Sequence, residues 1–206
     1  MRYSYIILFP SHDPWGGIEK PVHIEGGIDA VVEQNQNNIA ITQDQLYSLS
    51  VNVKRYGAKG DGSTDDTNAF LTAIQNCPKG GNIYVPSGTY VISQTLTLNK
   101  NMSISGANIQ DDTQNNIPLS GSILNFTSNT LLECAIKINA DGVHMDNIFL
   151  NNNSTTKTNI PVGLKILPFI GGVVWNVDLK NIYVKNFTQH GFYAEGLLVS
   201  LLQHCR

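Results

Sequence analysis

The spacing of apolar residues changes along this chain, and the change divides it near residue 50. Residues 10–27 hold Pro10, Pro14, Pro21, Gly16-Gly17 and Gly26-Gly27, which reads as an irregular arm. Ile28, Val32, Asn35, Ile39, Thr42, Leu46 and Leu49 then recur at alternating steps of four and three, an a/d heptad seam. Asn35 and Thr42 are polar seam positions, which lower stability but fix register and oligomer state. So short a helix is marginal alone. The pattern predicts an oligomerising stalk, a homotrimer; the plainer alternative is one amphipathic helix packed on its own domain.

Beyond residue 50 the periods shorten. Alternation over Val51–Tyr56 predicts a strand, followed by a tight loop, Gly57-Ala58-Lys59-Gly60-Asp61-Gly62. Ser63-Thr64-Asp65-Asp66-Thr67 offers helix caps. Ala69, Phe70, Ala73, Ile74 and Cys77 then mark the buried face of a helix over Asn68–Cys77. Pro78-Lys79-Gly80-Gly81 ends it. Asn82–Pro86 and Gly88–Ile92 read as two short strands around a Pro-Ser-Gly turn.

The remainder repeats itself, the mark of a solenoid. Ala135–Ile138, Gly163–Ile166 and Gly191–Ala194 align at two successive offsets of 28, and Val143–Leu150 aligns with Val177–Val184 at 34. Stacked at about 4.8 Å, Val143, Met145, Val177 and Leu179 point inward. His144 then lies over Asp178, Asp146 over Lys180 and Phe149 over Tyr183. Asn147 meets Asn181 at a corner, where asparagine tolerates left-handed backbone and stacked amides form ladders.

Composition narrows the classes. Hydrophobic residues are 41% of 206 and charged residues 14%, with a net charge of −3. A nucleic-acid partner, which would call for a basic face, is not expected. No apolar run reaches the ~20 residues of a membrane span. Tyr5–Phe9 is stopped by Pro10, short of a secretory h-region of about 7–15 residues, so no signal peptide is expected. Cys77, Cys134 and Cys205 lack the spacing of a disulfide framework or a zinc site. Asp61, Asp65 and Asp66 lack the remaining ligands of an EF-hand and the lysine of a P-loop. Neither a metal nor a cofactor is expected. The apolar Leu197–Leu202 run near the end has no capping segment after it, which predicts a β-helix continuing past Arg206.

The run VNVKRYGAKGDGSTDDTNAFLTAIQNCPKGGNIYVPSGTYVIS, residues 51–93, resembles the opening module of the pectate lyase superfamily. The resemblance rests on the GAKGDG-x-x-DDT loop, the helix and the GG-x-I-Y-V-P-x-G-x-Y strand pair; the later coils match by pattern only. It implies an all-β fold: a right-handed single-stranded parallel β-helix over residues 50–206. An N-terminal capping α-helix and a short helical or coiled-coil arm, residues 1–49, complete it. Gly57, Gly60, Asp61, Gly62, Asp65, Asp66 and Thr67 are then a structural cap loop, and Asn147 and Asn181 a structural ladder.

The superfamily spans plant-wall lyases, polygalacturonases, epimerases and phage tailspikes. With the heptad arm and the missing signal peptide, the leading expectation is a phage or prophage tailspike-like protein. It would bind, and in one version depolymerise, a bacterial surface polysaccharide. It would be made in the bacterial cytoplasm and act on the virion tail, or outside the cell after lysis, beside other phage tail proteins. The alternatives are a free polysaccharide lyase or glycoside hydrolase, and a non-catalytic structural spike or adhesin fragment. Lys137, Lys165 and Tyr193 stack outward as a carbohydrate-binding stripe suited to an anionic glycan; the plainer reading is two solvated lysines. Hydrolases need two carboxylates about 6.5–9.5 Å apart when they invert. Of Glu133, Asp141, Asp146, Asp178 and Glu195, the catalytic candidates are Asp146, Asp178 and Glu195, and no Asp-Asp pair shares a coil face. A full catalytic set within this chain is not expected.

Overall fold

A computed structural model describes residues 31–38, 50–112, 117–168, 172–198 and 201–205. The chain divides into two units, Met1–Tyr47 and Ser48–Arg206. In the first, residues 31–38 are helical, and residues 32–38 are exposed. Val32 and Asn35 of the heptad seam lie on this helix; Ile28, Ile39, Thr42, Leu46 and Leu49 lie outside the described residues.

The second unit is mostly β, and its strands stack in parallel ladders. The first ladder runs through Ser50–Asn52, Asn82–Val85, Met102–Gly106, the first half of Val143–Asn152, the first half of Asp178–Lys185, and Leu201–Gln203. The second runs through Asp61–Asp65, Gly88–Ile92, Ser122–Phe126 and the second halves of the same two long strands. Leu96–Leu98, Ile136–Ile138, Val162–Ile166 and His190–Ala194 form the third. The chain visits the three ladders in turn, so the parallel strands make a curled sheet. The long strands turn from first ladder to second at Asn147 and Asn181, with φ of 54° and 52°.

Alternation sets which side faces in. Val51, Ile83, Ile104, Met145 and Leu179 occupy one column of the first ladder, all nearly inaccessible. Each such side chain contributes roughly 1.5–3 kcal/mol through burial. Leu202 continues the column and is 57% exposed. In the third ladder, Leu98, Ile138 and Ile166 do the same work.

At the start of this unit the structure differs from the sequence reading in three places. Only Ser50–Asn52 is a strand; Val53–Tyr56 is a 3-10 turn. The Asn52 side chain accepts from Lys54 N–H at 2.9 Å and starts that turn, and Gly57 ends it at φ 97°. Asp61–Asp65, expected in a loop and cap, pairs as a strand with Gly88–Ile92. A short antiparallel hairpin, Gln110–Asp112 with Ile117–Ser120, interrupts the third coil between Met102–Gly106 and Ser122–Phe126 and has no counterpart in the repeats.

The helix Thr67–Asn76 buries Ala69, Phe70, Ala73 and Ile74. Phe70 meets the Tyr90 ring edge-on at 5.3 Å between centroids. The aspartates before it divide the labour. Asp65 caps the helix by accepting from Thr67 N–H, and it also accepts from Ser93 Oγ at 2.7 Å. Asp66, 2% exposed, instead accepts from Lys59 N–H at 2.7 Å and Gly60 N–H at 3.0 Å, closing the loop. Asp61 accepts from the amides and hydroxyls of Ser63 and Thr64. Among the described residues no helix is long and apolar enough to cross a membrane.

Candidate functional site

The outer face of the third ladder carries a column of charged and aromatic side chains. Parallel register places Thr97, Lys137, Lys165 and Tyr193 in one column, one residue per rung. Ile136 and Ile138 face the core on either side of Lys137, so the alternation of the strand turns the lysine outward. Lys165 and Tyr193 are outward for the same reason.

The two lysines do not stand as an unscreened like-charge pair. Glu133 lies between them and uses both carboxylate oxygens: Lys137 Nζ is 3.0 Å from Oε2, and Lys165 Nζ is 2.7 Å from Oε1. The hydrogen bond from Lys165, then that from Lys137, holds the Glu133 carboxyl below its ordinary range. The same bond to Glu133 raises the Lys165 ammonium, against a smaller opposing effect of burial.

The aromatic end continues the network. Lys165 Nζ is 5.3 Å from the Tyr193 ring centroid, within cation–π range. The Tyr193 hydroxyl donates to Glu195 Oε1, which pushes the phenol above its ordinary pKa. His190 lies beside the tyrosine, ring centroids 5.6 Å apart. Lys137, Glu133, Lys165, Tyr193, Glu195 and His190 therefore form one continuous polar strip on one face.

The other candidates lie elsewhere. Asp146 and Asp178 are on the first ladder, on adjacent strands and two register positions apart. Asp178 is held by His144 Nδ1 at 2.9 Å. Asp146 stands opposite Lys180 and accepts from Asn147 Nδ2 at 2.9 Å. Glu195 follows the last strand of the third ladder, so the structure does not bring the three carboxylates together. Asp141 accepts from Trp175 N–H at 2.8 Å, and the Trp175 side chain is 49% exposed. Among the described residues no three His, Cys, Asp or Glu side chains cluster as a metal would need. The cap-loop aspartates are occupied by the hydrogen bonds given above, and Asn147 and Asn181 hydrogen-bond to each other at the corner.

Sequence reasoning missed Glu133 as the bridge, His190 as the neighbour of Tyr193, and the exposed Trp175. The first had a signal: Glu133 precedes Lys137 by four residues, and the offset of 28 places Lys165 beside Lys137. Trp175 had none, because its two-residue strand belongs to neither repeat series.

Residues 50–118 match the family described as rhamnogalacturonase A/epimerase, pectate lyase-like. The preneck appendage protein of Bacillus phage PZA is 47% identical over 64 residues, 31% of this chain and 7% of that protein. Among solved structures, ORF18 of Geobacillus virus E2 superposes with a TM-score of 0.59 at 24% identity, covering 82% of this chain and 31% of that one. The A-module of the mannuronan C-5 epimerase AlgE6 from Azotobacter vinelandii gives 0.58 at 22% identity, over 75% and 42% of the two chains. The likeness to these two structures is one of fold, and this chain spans a minor part of each relative's length.

Proposed function

For a chain that is a pectate lyase-like superfamily protein with phage tail relatives, we propose the role of a phage tail appendage segment that binds a bacterial surface polysaccharide. In this reading the three ladders close into a right-handed parallel β-helix, and the heptad-bearing arm associates it as a homotrimer beside other tail proteins on the virion. The observation that carries the reading is the outer column Lys137–Lys165–Tyr193 on a parallel ladder. Rungs repeat about every 4.8 Å, so a ladder offers a regular series of contacts to a polymer of repeating units. Tyr193 supplies an apolar ring face with a polar tip, and the charged groups around it supply hydrogen bonds that orient a sugar.

Cleavage finds less support than binding. Glu195 lies on a different ladder from Asp146 and Asp178, which sit on adjacent strands two register positions apart, and each of the three already has a polar partner. An inverting hydrolase would need an acid and a base flanking one bond. The engagement of these carboxylates by Asn147, His144 and Tyr193 favours a binding segment over a complete depolymerase, with any catalytic set completed by residues outside this chain. The test is to incubate the purified chain with a panel of bacterial surface polysaccharides. Expected is retention on at least one of them, with neither new reducing ends nor the ultraviolet absorbance of unsaturated sugars. Release of either product would support a lyase or hydrolase instead, and retention on none would remove the reading.

A further inference from the structure

Glu133 changes what the two-lysine site can accept. Its carboxylate sits where the carboxylate of an acidic sugar would sit, one oxygen on each ammonium, at 2.7 Å and 3.0 Å. The pair of lysines is thus a built carboxylate clamp, and it is already closed. Charge bookkeeping along the strip agrees. Both lysines pair with Glu133, and Glu195 at the Tyr193 end of the strip brings a second negative charge, so two positive charges are balanced by two negative ones.

We propose that Glu133 is a specificity-determining residue: an internal stand-in for a uronate carboxylate that closes the Lys137–Lys165 clamp to acidic sugars. The strip is left to recognise a neutral sugar through Tyr193 and Glu195. This inference rests on the glycan-binding reading of the same face.

Glu133 and an incoming carboxylate compete for the same two ammonium groups. A side chain tethered to the same ladder is presented to the lysines at an effective concentration of about millimolar or more, without loss of translational freedom. An incoming carboxylate must displace it, and gains back only what Glu133 gave up. Each ion pair at such an exposed site is worth about a fivefold change in an equilibrium at most. No carboxylate that merely replaces Glu133 gains affinity over it. A neutral sugar has no such competitor. Its apolar face can cover the Tyr193 ring, while the Glu195 carboxylate, held by the tyrosine hydroxyl, keeps acceptor capacity for sugar hydroxyls.

The test is calorimetric titration of the full chain with a galacturonic acid trimer and with maltotriose, at low ionic strength where exposed charges are least screened. Wild type is expected to bind the acidic trimer no tighter than the neutral one. Glu133→Gln keeps the size of the side chain and removes its charge, and is expected to raise the affinity for the acidic trimer relative to the neutral one about fivefold. Adding Lys165→Ala to Glu133→Gln should abolish the gain. Three results would overturn the proposal: wild type binding the acidic trimer tighter than the neutral one, Glu133→Gln gaining nothing, or a gain that survives loss of Lys165. None of these bears on whether the face binds bacterial polysaccharide at all, which loss of retention in Tyr193→Ala tests separately.

Discussion

Asn181 Nδ2 donates to Asn147 Oδ1 at 3.0 Å across adjacent rungs, and both residues hold the left-handed backbone that turns the strand from first ladder to second. The amide bond and the corner are therefore one device. Asn147→Ala loses the bond and places a residue with a Cβ and no compensating amide at positive φ, costing about 2 kcal/mol. Asn147→Gly loses the bond but relaxes the backbone, costing about 1 kcal/mol. Urea unfolding of both variants separates the contributions; an alanine no worse than glycine would mean the corner carries no backbone strain.

Gly106 lies against the same corner. A Cβ built there would collide with the backbone carbonyl of Asn147 and with the Ile148 side chain. Backbone cannot step aside as a flexible side chain does, so Gly106→Ala should cost about 1–3 kcal/mol. Thermal unfolding checks this, and a neutral alanine would show that the rungs are looser there than their stacking requires.

Asp66 is nearly inaccessible and satisfies two loop amides. Asp66→Ala leaves Lys59 and Gly60 N–H without a protein partner, a loss of about 2–3 kcal/mol. The measurement is the urea midpoint, with faster amide exchange at those two positions as the local signature. An unchanged midpoint would refute the loop-closing role.

Tyr90 is fully buried beneath the helix and donates to Pro86 O at 2.8 Å. Burial, with the charge of Asp66 adding to it, pushes its phenol up to about 12 from an ordinary 10. The folded state therefore keeps a proton that the unfolded chain has lost between these values. The stabilisation is complete below pH 10 and disappears as pH rises through about 12, on the order of 2 kcal/mol. Tyr90→Phe should cost about 1 kcal/mol at neutral pH through the lost hydrogen bond and decline less steeply in alkali. Equal alkaline slopes for the two proteins would contradict this.

The sequence was legible where side chains repeat at one offset. The offset of 34 pairs Phe149 with Tyr183, whose rings stack at 6.3 Å, and His144 with Asp178. The offset of 28 aligns Lys137, Lys165 and Tyr193. A second amide series escaped it. Asn151 donates to Asn125 at 2.9 Å, and Asn186 donates to Asn151 at 2.7 Å. These contacts span separations of 26 and 35 residues, so no single period exposes them. Val53–Tyr56 alternates like a strand, yet the local bond from Lys54 N–H to Asn52 and the glycine at position 57 outweigh the pattern. At the site, strand positions could be read because they obey a period of two. Glu133 precedes its strand, where no period governs direction, so the spacing marks it as a neighbour of Lys137 while only the fold shows that it bridges both lysines.

Contact between the outer face of the third ladder and a glycan can be measured directly. The direct measurement is retention of the chain on an immobilised bacterial surface polysaccharide, wild type against Tyr193→Ala. The alanine variant keeps the buried side of its strand and should unfold at the same urea concentration. Truncating an aromatic anchor that covers an apolar ligand face costs about 1–3 kcal/mol, so retention should fall about fivefold or more. Equal retention of the two proteins, each shown to be folded, would contradict the account.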